Sequence, residues 1–282
     1  SSFACAIPGI MATRTIANPR DRMVTTLIAP LMTCSARLPV YALLIGAFIP
    51  AHHLSLGFGL KINTQGLTLF VLYFAGIVGA FLVAWVLRWF GSGKQRRTLM
   101  MELPDYHAPS WRNLLLGLWQ RAVIFLRRVG GIILTLTIIM WFLASFPAAP
   151  EGATNPAIEY SFAGMIGHVL NYIFAPIGFN WQISIALIPG LAAREVIVGA
   201  LGTVYSIAGE TAGTEGALSE VIKQQWSVAT AYSLLAWFVF APQCLSTIAT
   251  IKRETGGWKI PLITLFYLFA LAYLASFITY RV

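Results

Sequence analysis

Ile7-Pro8-Gly9, and again Ile188-Pro189-Gly190, interrupt two apolar stretches of this chain. A second phrase repeats in the same order: Ala29-Pro30 followed by Cys34, then Ala241-Pro242 followed by Cys244. Proline removes a backbone donor and clashes with the preceding turn, so each phrase predicts a break in a helix. Paired breaks in the two halves of a membrane protein point to a transport site at mid-bilayer, here flanked by Pro8, Gly9, Pro189, Gly190 and Pro242. Unwound backbone survives at that depth only where protein or a water-filled cavity surrounds it.

The remaining sequence agrees with a membrane setting. Of 282 residues, 58% are hydrophobic and only 10% are charged, with a mean hydropathy of +0.75. Soluble domains of this length do not have that composition, and the lipid bilayer is the expected surrounding. The net charge of +9 comes from Lys and Arg placed between apolar runs. That arrangement sets topology and does not mark a nucleic-acid surface, so no nucleic-acid partner is expected. Three cysteines without C-x-x-C spacing make neither a disulfide framework nor a structural zinc site. A phosphate loop, a nucleophile elbow and an H-E-x-x-H motif are all missing from the sequence, so no catalysis is expected of these residues. Ser1, with no initiator Met and no signal-peptide pattern, reads as the edge of a fragment.

The apolar runs predict an all-α polytopic membrane protein of about six or seven spans or broken helices. They fall at 23–50, 66–90, 129–147, 161–177, 181–208, 227–250 and 259–280. Three regions follow: 1–90, the first repeat and the next span; 91–128, a basic loop; and 129–282, the spans that include the second repeat. Within the loop, Leu114, Leu115, Leu118, Ala122, Phe125 and Leu126 follow helical spacing among Arg112, Gln120, Arg121, Arg127 and Arg128. Pro109 to Arg128 is therefore predicted to lie as an amphipathic helix in the interface before the next span. Trp85, Trp89, Trp141, Trp181, Trp226 and Trp258 fall at span ends, as interface anchors do.

Positive charge places loops 13–22, 91–128 and 251–259 in the cytoplasm, and loops 51–65, 148–160 and 209–226 outside. Segments 161–177 and 181–208 fit this as two crossings or as a re-entrant pair. The Pro8 segment then runs inward and the Pro189 segment outward. The Cys34 span runs outward and the Cys244 span inward. Both pairs are antiparallel, which is an inverted repeat.

Cys34 has Ser35 beside it, with Arg37 and Tyr41 on its face if the segment is helical. A free cysteine in an apolar run is most often a small buried filler. Here Pro30 and Pro39 flank it, and an arginine in mid-span is costly unless it faces protein or water. Cys5 precedes Pro8, which cannot donate to the Ala4 carbonyl, and Cys244 follows Pro242. Sulfur combined with freed carbonyl oxygen suits a borderline first-row divalent ion better than Mg²⁺ or Ca²⁺. Thiol ligands lose a proton on binding metal, so binding is expected to weaken at low pH. Arg194 and Glu195 lie just beyond the second Pro-Gly. They offer either an internal salt bridge across the break or a carboxylate to a passing cation. Met11, Met23 and Met32 read as packing, and His52-His53 as a solvated outer loop.

These residues resemble a known family. Cys5-Ala6-Ile7-Pro8-Gly9-Ile10-Met11-Ala12-Thr13-Arg14-Thr15-Ile16, with Asn18-Pro19-Arg20-Asp21-Arg22, is similar to the first Gate motif of the FeoB ferrous iron transporters. So is Ala29-Pro30-Leu31-Met32-Thr33-Cys34-Ser35-Ala36-Arg37-Leu38-Pro39-Val40-Tyr41. Pro189 to Gly199 resembles the second Gate motif, and the Pro242–Cys244 span and Arg127-Arg128-Val129-Gly130 also look like the family. The resemblance covers nearly the whole chain. It implies Fe²⁺ uptake across the bacterial cytoplasmic (inner) membrane, with Cys5, Cys34 and Cys244 as pore-lining metal ligands. It also implies an upstream G domain that binds GTP and Mg²⁺, and small cytosolic accessory proteins of the same system. Nucleoside transport is the alternative, because Gate-type motifs occur there too. That reading predicts Asn, Gln or Glu in the breaks instead of cysteines.

Overall fold

The computed structural model describes residues 3–50, 53–56, 60–90, 110–147, 157–194, 196–207 and 215–282. Twelve helices and one short hairpin are drawn among them. The first repeat contains α1 (Ala6–Ala12), α2 (Pro19–Ile28) and α3 (Leu38–Phe48). Strands β1 (His53–Leu56) and β2 (Leu60–Asn63) pair antiparallel, with His53 opposite Asn63. Next come α4 (Thr64–Phe90), α5 (Trp111–Ser145), α6 (Phe162–Phe174), α7 (Trp181–Ala192) and α8 (Val196–Ile207). The chain ends with α9 (Glu215–Gln225), α10 (Val228–Phe240), α11 (Leu245–Thr255) and α12 (Lys259–Arg281).

Local chemistry sets many of these boundaries. Asn18, Ser161, Asn180 and Ser227 each accept a hydrogen bond from a backbone N–H of the first turn that follows them, starting α2, α6, α7 and α10. Pro19 occupies the first position of α2, where its missing donor costs nothing. Gly256, in the left-handed region at φ 69°, ends α11.

Among the described residues, Pro19–Phe48, Thr64–Trp89, Val228–Thr255 and Lys259–Arg281 are long and apolar enough to cross a membrane. The first and third of these are broken helices, α2 with α3 and α10 with α11. Phe162–Ile177 and Trp181–Leu191 meet at 101°, a sharp bend that fits one broken span or a re-entrant pair. The most apolar window of Val228–Thr255 is 61% buried, whereas that of Thr64–Trp89 is 11% buried. The broken helix α10–α11 is therefore interior. α4 presents Phe70, Phe81, Trp85 and Trp89 outward, as a lipid-facing helix does. α10 packs most extensively on α12. The main core joins Val40, Tyr41 and Leu44 of α3 to Phe174, Ile183, Leu201 and Trp237.

Several expectations change. Residues 181–208 are two helices, interrupted after Ala192 by extended backbone at Ala193. The expected interface helix and the span after it form one 35-residue helix, α5, without a break at Arg128. The outer segment 209–226 contains α9, which buries Leu218 and Ile222 in the core. Trp226 is 5% exposed and donates to the Tyr205 hydroxyl at 2.8 Å, so it is a core residue and not an interface anchor. Most of loop 91–128 before Ser110, the acidic loop before Ala157, and His52 lie outside the described residues.

Candidate functional site

The Pro-Gly pairs do not themselves break helices. Pro8 is the third residue of α1, in the first turn, where proline is tolerated. The residue before α1, Cys5, is extended (φ −155°, ψ 137°), and the helix begins at Ala6. Pro189 lies inside α7, and that helix ends three residues later, at Ala192. Gly190 is needed for packing: a Cβ there would lie 2.3 Å from the Ile197 side chain of α8. The second break thus falls three residues beyond Gly190, at Ala193-Arg194.

The larger interruptions lie between α2 and α3 and between α10 and α11. After α2, Ala29–Leu31 forms one tight turn, and Met32 (ψ 129°) and Cys34 (ψ 158°) are extended. Ser35–Arg37 then makes a second tight turn that leads into α3. Cys34, Arg37 and Tyr41 therefore do not share one continuous helix face. After α10, Ala241 (ψ 149°) and Cys244 (ψ 156°) are extended, and α11 begins at Leu245.

The two interruptions face each other through Gln243. Its Nε2 donates to the Pro30 carbonyl, and its Oε1 accepts from the Cys34 thiol at 3.7 Å. Cys34 is buried at 6% exposure, and Cys5 and Cys244 are half-buried. Cys244 Sγ lies 3.4 Å from Thr247 Oγ1. Ser35 Oγ donates to the Ala4 carbonyl at 2.9 Å. The segment next to Cys34 thus takes up the carbonyl next to Cys5. α1 packs against α11, and each helix is capped by a cysteine.

Two buried arginines close the site. Arg37 is fully buried, and its Nη1 donates to Val239 O at 2.7 Å. Arg194 is 3% exposed; its Nη2 donates to Ala241 O at 2.6 Å and to Pro242 O, and its Nη1 to Phe238 O at 3.5 Å. The last carbonyls of a helix have no partner within it and carry its negative end. Both guanidiniums sit on that end of α10, which is where Arg194 finds its partners. Glu195, the other half of the expected salt bridge, lies outside the described residues. Arg37 Nε and Nη2, Tyr41 Oη and Thr33 Oγ1 are buried without a hydrogen-bond partner among the described residues. α4 approaches this cluster at Gly76, where a Cβ would lie 2.6 Å from Thr33 Oγ1.

At the other end of α1 and α11, Arg14 donates from Nε and Nη2 to the Glu254 carboxylate at 2.6 and 2.5 Å. The Arg14 guanidinium is raised above its ordinary value by that hydrogen bond and by the opposite charge. Arg22 Nη2 donates to Glu254 O at 3.2 Å and lies 3.6 Å from the carboxylate. The two helices thus run the same way, from a cysteine to one ion-pair cluster. Among the described residues, no three His, Cys, Asp or Glu side chains stand together as a metal-holding group.

Comparison with known proteins gives this arrangement a family. The Gate family model, described as nucleoside recognition, matches residues 1–48 and 126–258. A second model, the ferrous iron transport protein B C terminus, matches residues 69–121. A Fe(2+) transporter FeoB of Leptospira interrogans is 38% identical over 300 residues, covering 100% of this chain and 42% of the relative. The Staphylococcus aureus FeoB is 36% identical, covering 99% of this chain and 39% of the relative. The chain belongs to the FeoB family. A Porphyromonas gingivalis relative, named as a fusion of Fe(2+) transport protein A with FeoB, is 35% identical over 99% of this chain and 36% of its own length. The chain thus spans about two fifths of the length of these FeoB relatives. No solved structure matches.

In this FeoB-type site, the structure brings together Cys34, Ser35, Arg37, Arg194, Pro242 and the segment leading to Cys244. Sequence reasoning missed Gln243, Thr33 and Glu254. Gln243 had a usable signal: an amide between Pro242 and Cys244, inside a predicted break, has freed backbone groups to pair with. Glu254 stood in a basic loop, and nothing local tied it to Arg14.

Proposed function

We propose that this chain is the metal-conducting part of a ferrous iron uptake transporter of the bacterial cytoplasmic membrane. Fe²⁺ passes through the junction of the two broken helices. The observation that carries this reading is the position of Cys34: a buried sulfur in extended backbone, bridged by Gln243 to the break that leads to Cys244. Cys5, Cys34 and Cys244 act as metal ligands one or two at a time, with freed carbonyl oxygens completing the shell. That mode fits the lack of a three-ligand cluster among the described residues. A mixed sulfur and oxygen shell favours Fe²⁺ over Mg²⁺ or Ca²⁺. Ser35, Tyr41 and the Pro-Gly segments shape the path, and Arg37 and Arg194 hold its walls.

The energy source in this reading is a GTP-binding domain, with Mg²⁺, outside these residues. The region 91–128 belongs on the cytoplasmic side, between the units 1–90 and 129–282. A small cytosolic accessory protein is a fitting partner, since one relative is named as a fusion with transport protein A. The Gate description alone would suit nucleosides. The relatives along the whole chain are named as Fe(2+) transporters, and the breaks hold cysteines, which favours iron. The test is uptake into vesicles that contain the full-length protein. Fe²⁺ is expected to enter, and Mg²⁺, Ca²⁺ and nucleosides are not. Nucleoside uptake without Fe²⁺ uptake would overturn the reading.

A further inference from the structure

The C-terminal end of α10 is a cage of backbone oxygens. Carbonyls of Phe238, Val239, Ala241 and Pro242 accept hydrogen bonds from just two side chains, Arg37 and Arg194. A helix C-terminus concentrates roughly half a negative charge, and the extended residue Ala241 adds a carbonyl that no helix uses. In broken-helix carriers, half-helix C-termini and unwound carbonyls are the places that coordinate a coupling Na⁺ or H⁺.

Here that place is taken. The guanidiniums arrive from two separate elements: Arg37 from the turn before α3, and Arg194 from the break between α7 and α8. Both are sealed from solvent, at 0% and 3% exposure. Neither forms an ion pair among the described residues. Arg37 also keeps Nε and Nη2 without a partner there, so its charge is not spent on a carboxylate. A guanidinium delivers several donors in a fixed plane and keeps its charge throughout. An alkali ion entering the cage would have to displace one of them.

We propose that Arg37 and Arg194 are resident cations in a monovalent-cation site. Through them the transporter carries its own counter-charge at the carbonyl cage, and its metal flux is independent of the Na⁺ gradient. Shortening Arg194 opens the cage to a free cation, guanidinium first and Na⁺ second. The flux part rests on the iron-transport reading above; the binding part does not.

The experiment has two arms on the full-length protein. In detergent, thermal unfolding of Arg194→Ala is followed while guanidinium chloride, and separately NaCl against N-methylglucamine chloride, is raised through the low millimolar range. A saturable rise of the midpoint by about 2–4 °C is expected in the variant and none in the unaltered protein. If Arg194→Ala does not fold, the same unfolding titrations are run on Arg194→Lys, whose single ammonium leaves part of the cage open, and a smaller saturable rise with guanidinium is expected; a folded Arg194→Lys that gains nothing counts against the proposal. In vesicles, Fe²⁺ uptake by the unaltered protein is expected to be the same with external Na⁺ or N-methylglucamine. A saturable Na⁺ stabilisation of the unaltered protein, or uptake that requires external Na⁺, would overturn the proposal. So would a folded Arg194→Ala that gains nothing from guanidinium. An unaltered protein that carries no Fe²⁺ at all would instead remove the iron reading, and the unfolding arm would still decide the cation site.

Discussion

The two cysteine-capped breaks use similar residues and are held in different ways. At Ala241–Cys244, the freed carbonyls are bound by the buried guanidiniums of Arg37 and Arg194. At Ala4-Cys5, the Ala4 carbonyl is bound by one exposed hydroxyl, that of Ser35. Hydrogen bonds to a charged donor are about twice as strong as neutral ones, and burial strengthens them further. The Ala241–Cys244 segment is therefore held more tightly than Ala4-Cys5. Gln243 joins the former to the Cys34 segment, with one amide atom on Pro30 and the other on Cys34, and Ser35 of that segment reaches the latter.

This contrast sets an order of expected effects. Arg194→Gln should cost the most, about 2–4 kcal/mol, because it leaves buried carbonyls of Ala241 and Pro242 unpaired. A drop in unfolding midpoint in detergent checks it, and a midpoint close to that of the unaltered protein would break the contrast. Gln243→Leu should cost about 1–2 kcal/mol by leaving the Pro30 carbonyl bare, and should also raise the reactivity of Cys34 toward a thiol reagent. Ser35→Ala, at the exposed bond, should cost no more than about 0.5–1 kcal/mol. If Ser35→Ala proves as damaging as Arg194→Gln, the two breaks are equally rigid.

A smaller effect is expected at the Arg14–Glu254 end of α1 and α11. Arg14 is half exposed, so its ion pair with Glu254 is screened on one side. Glu254→Gln should leave the unfolding midpoint nearly unchanged while loosening α1 from α11. Faster labelling of Cys5 or Cys244 from the cytoplasmic side would show it.

Much of this contrast could be read in the sequence. The proline phrases located the interruptions between α2 and α3, α7 and α8, and α10 and α11 to within a few residues, because a missing donor is a local property. They misplaced the break points at Pro8 and Pro189, since proline is at home in a first turn and tolerated inside α7 once its surroundings compensate. Ala4 was flagged as an acceptor left by Pro8, but it precedes α1, and its donor, Ser35, lies 31 residues away where no spacing rule connects them. Arg37 and Arg194 stood out as costly mid-span charges. That both end on α10 depends on tertiary packing, which the sequence pattern does not contain. In α5 a charge-rich amphipathic stretch and an apolar span share one helix, because nothing breaks the backbone between them.

The central claim is that iron passes the sulfur at the junction of the broken helices. The direct measurement is Fe²⁺ uptake into vesicles by the full-length protein carrying Cys34→Ser, beside the triple serine variant of Cys5, Cys34 and Cys244, with folding checked by the unfolding midpoint. Serine keeps the size and removes the soft ligand, so uptake is predicted to fall about tenfold or more in the single variant, and further in the triple, at an unchanged midpoint. Full uptake by the triple variant would contradict the account.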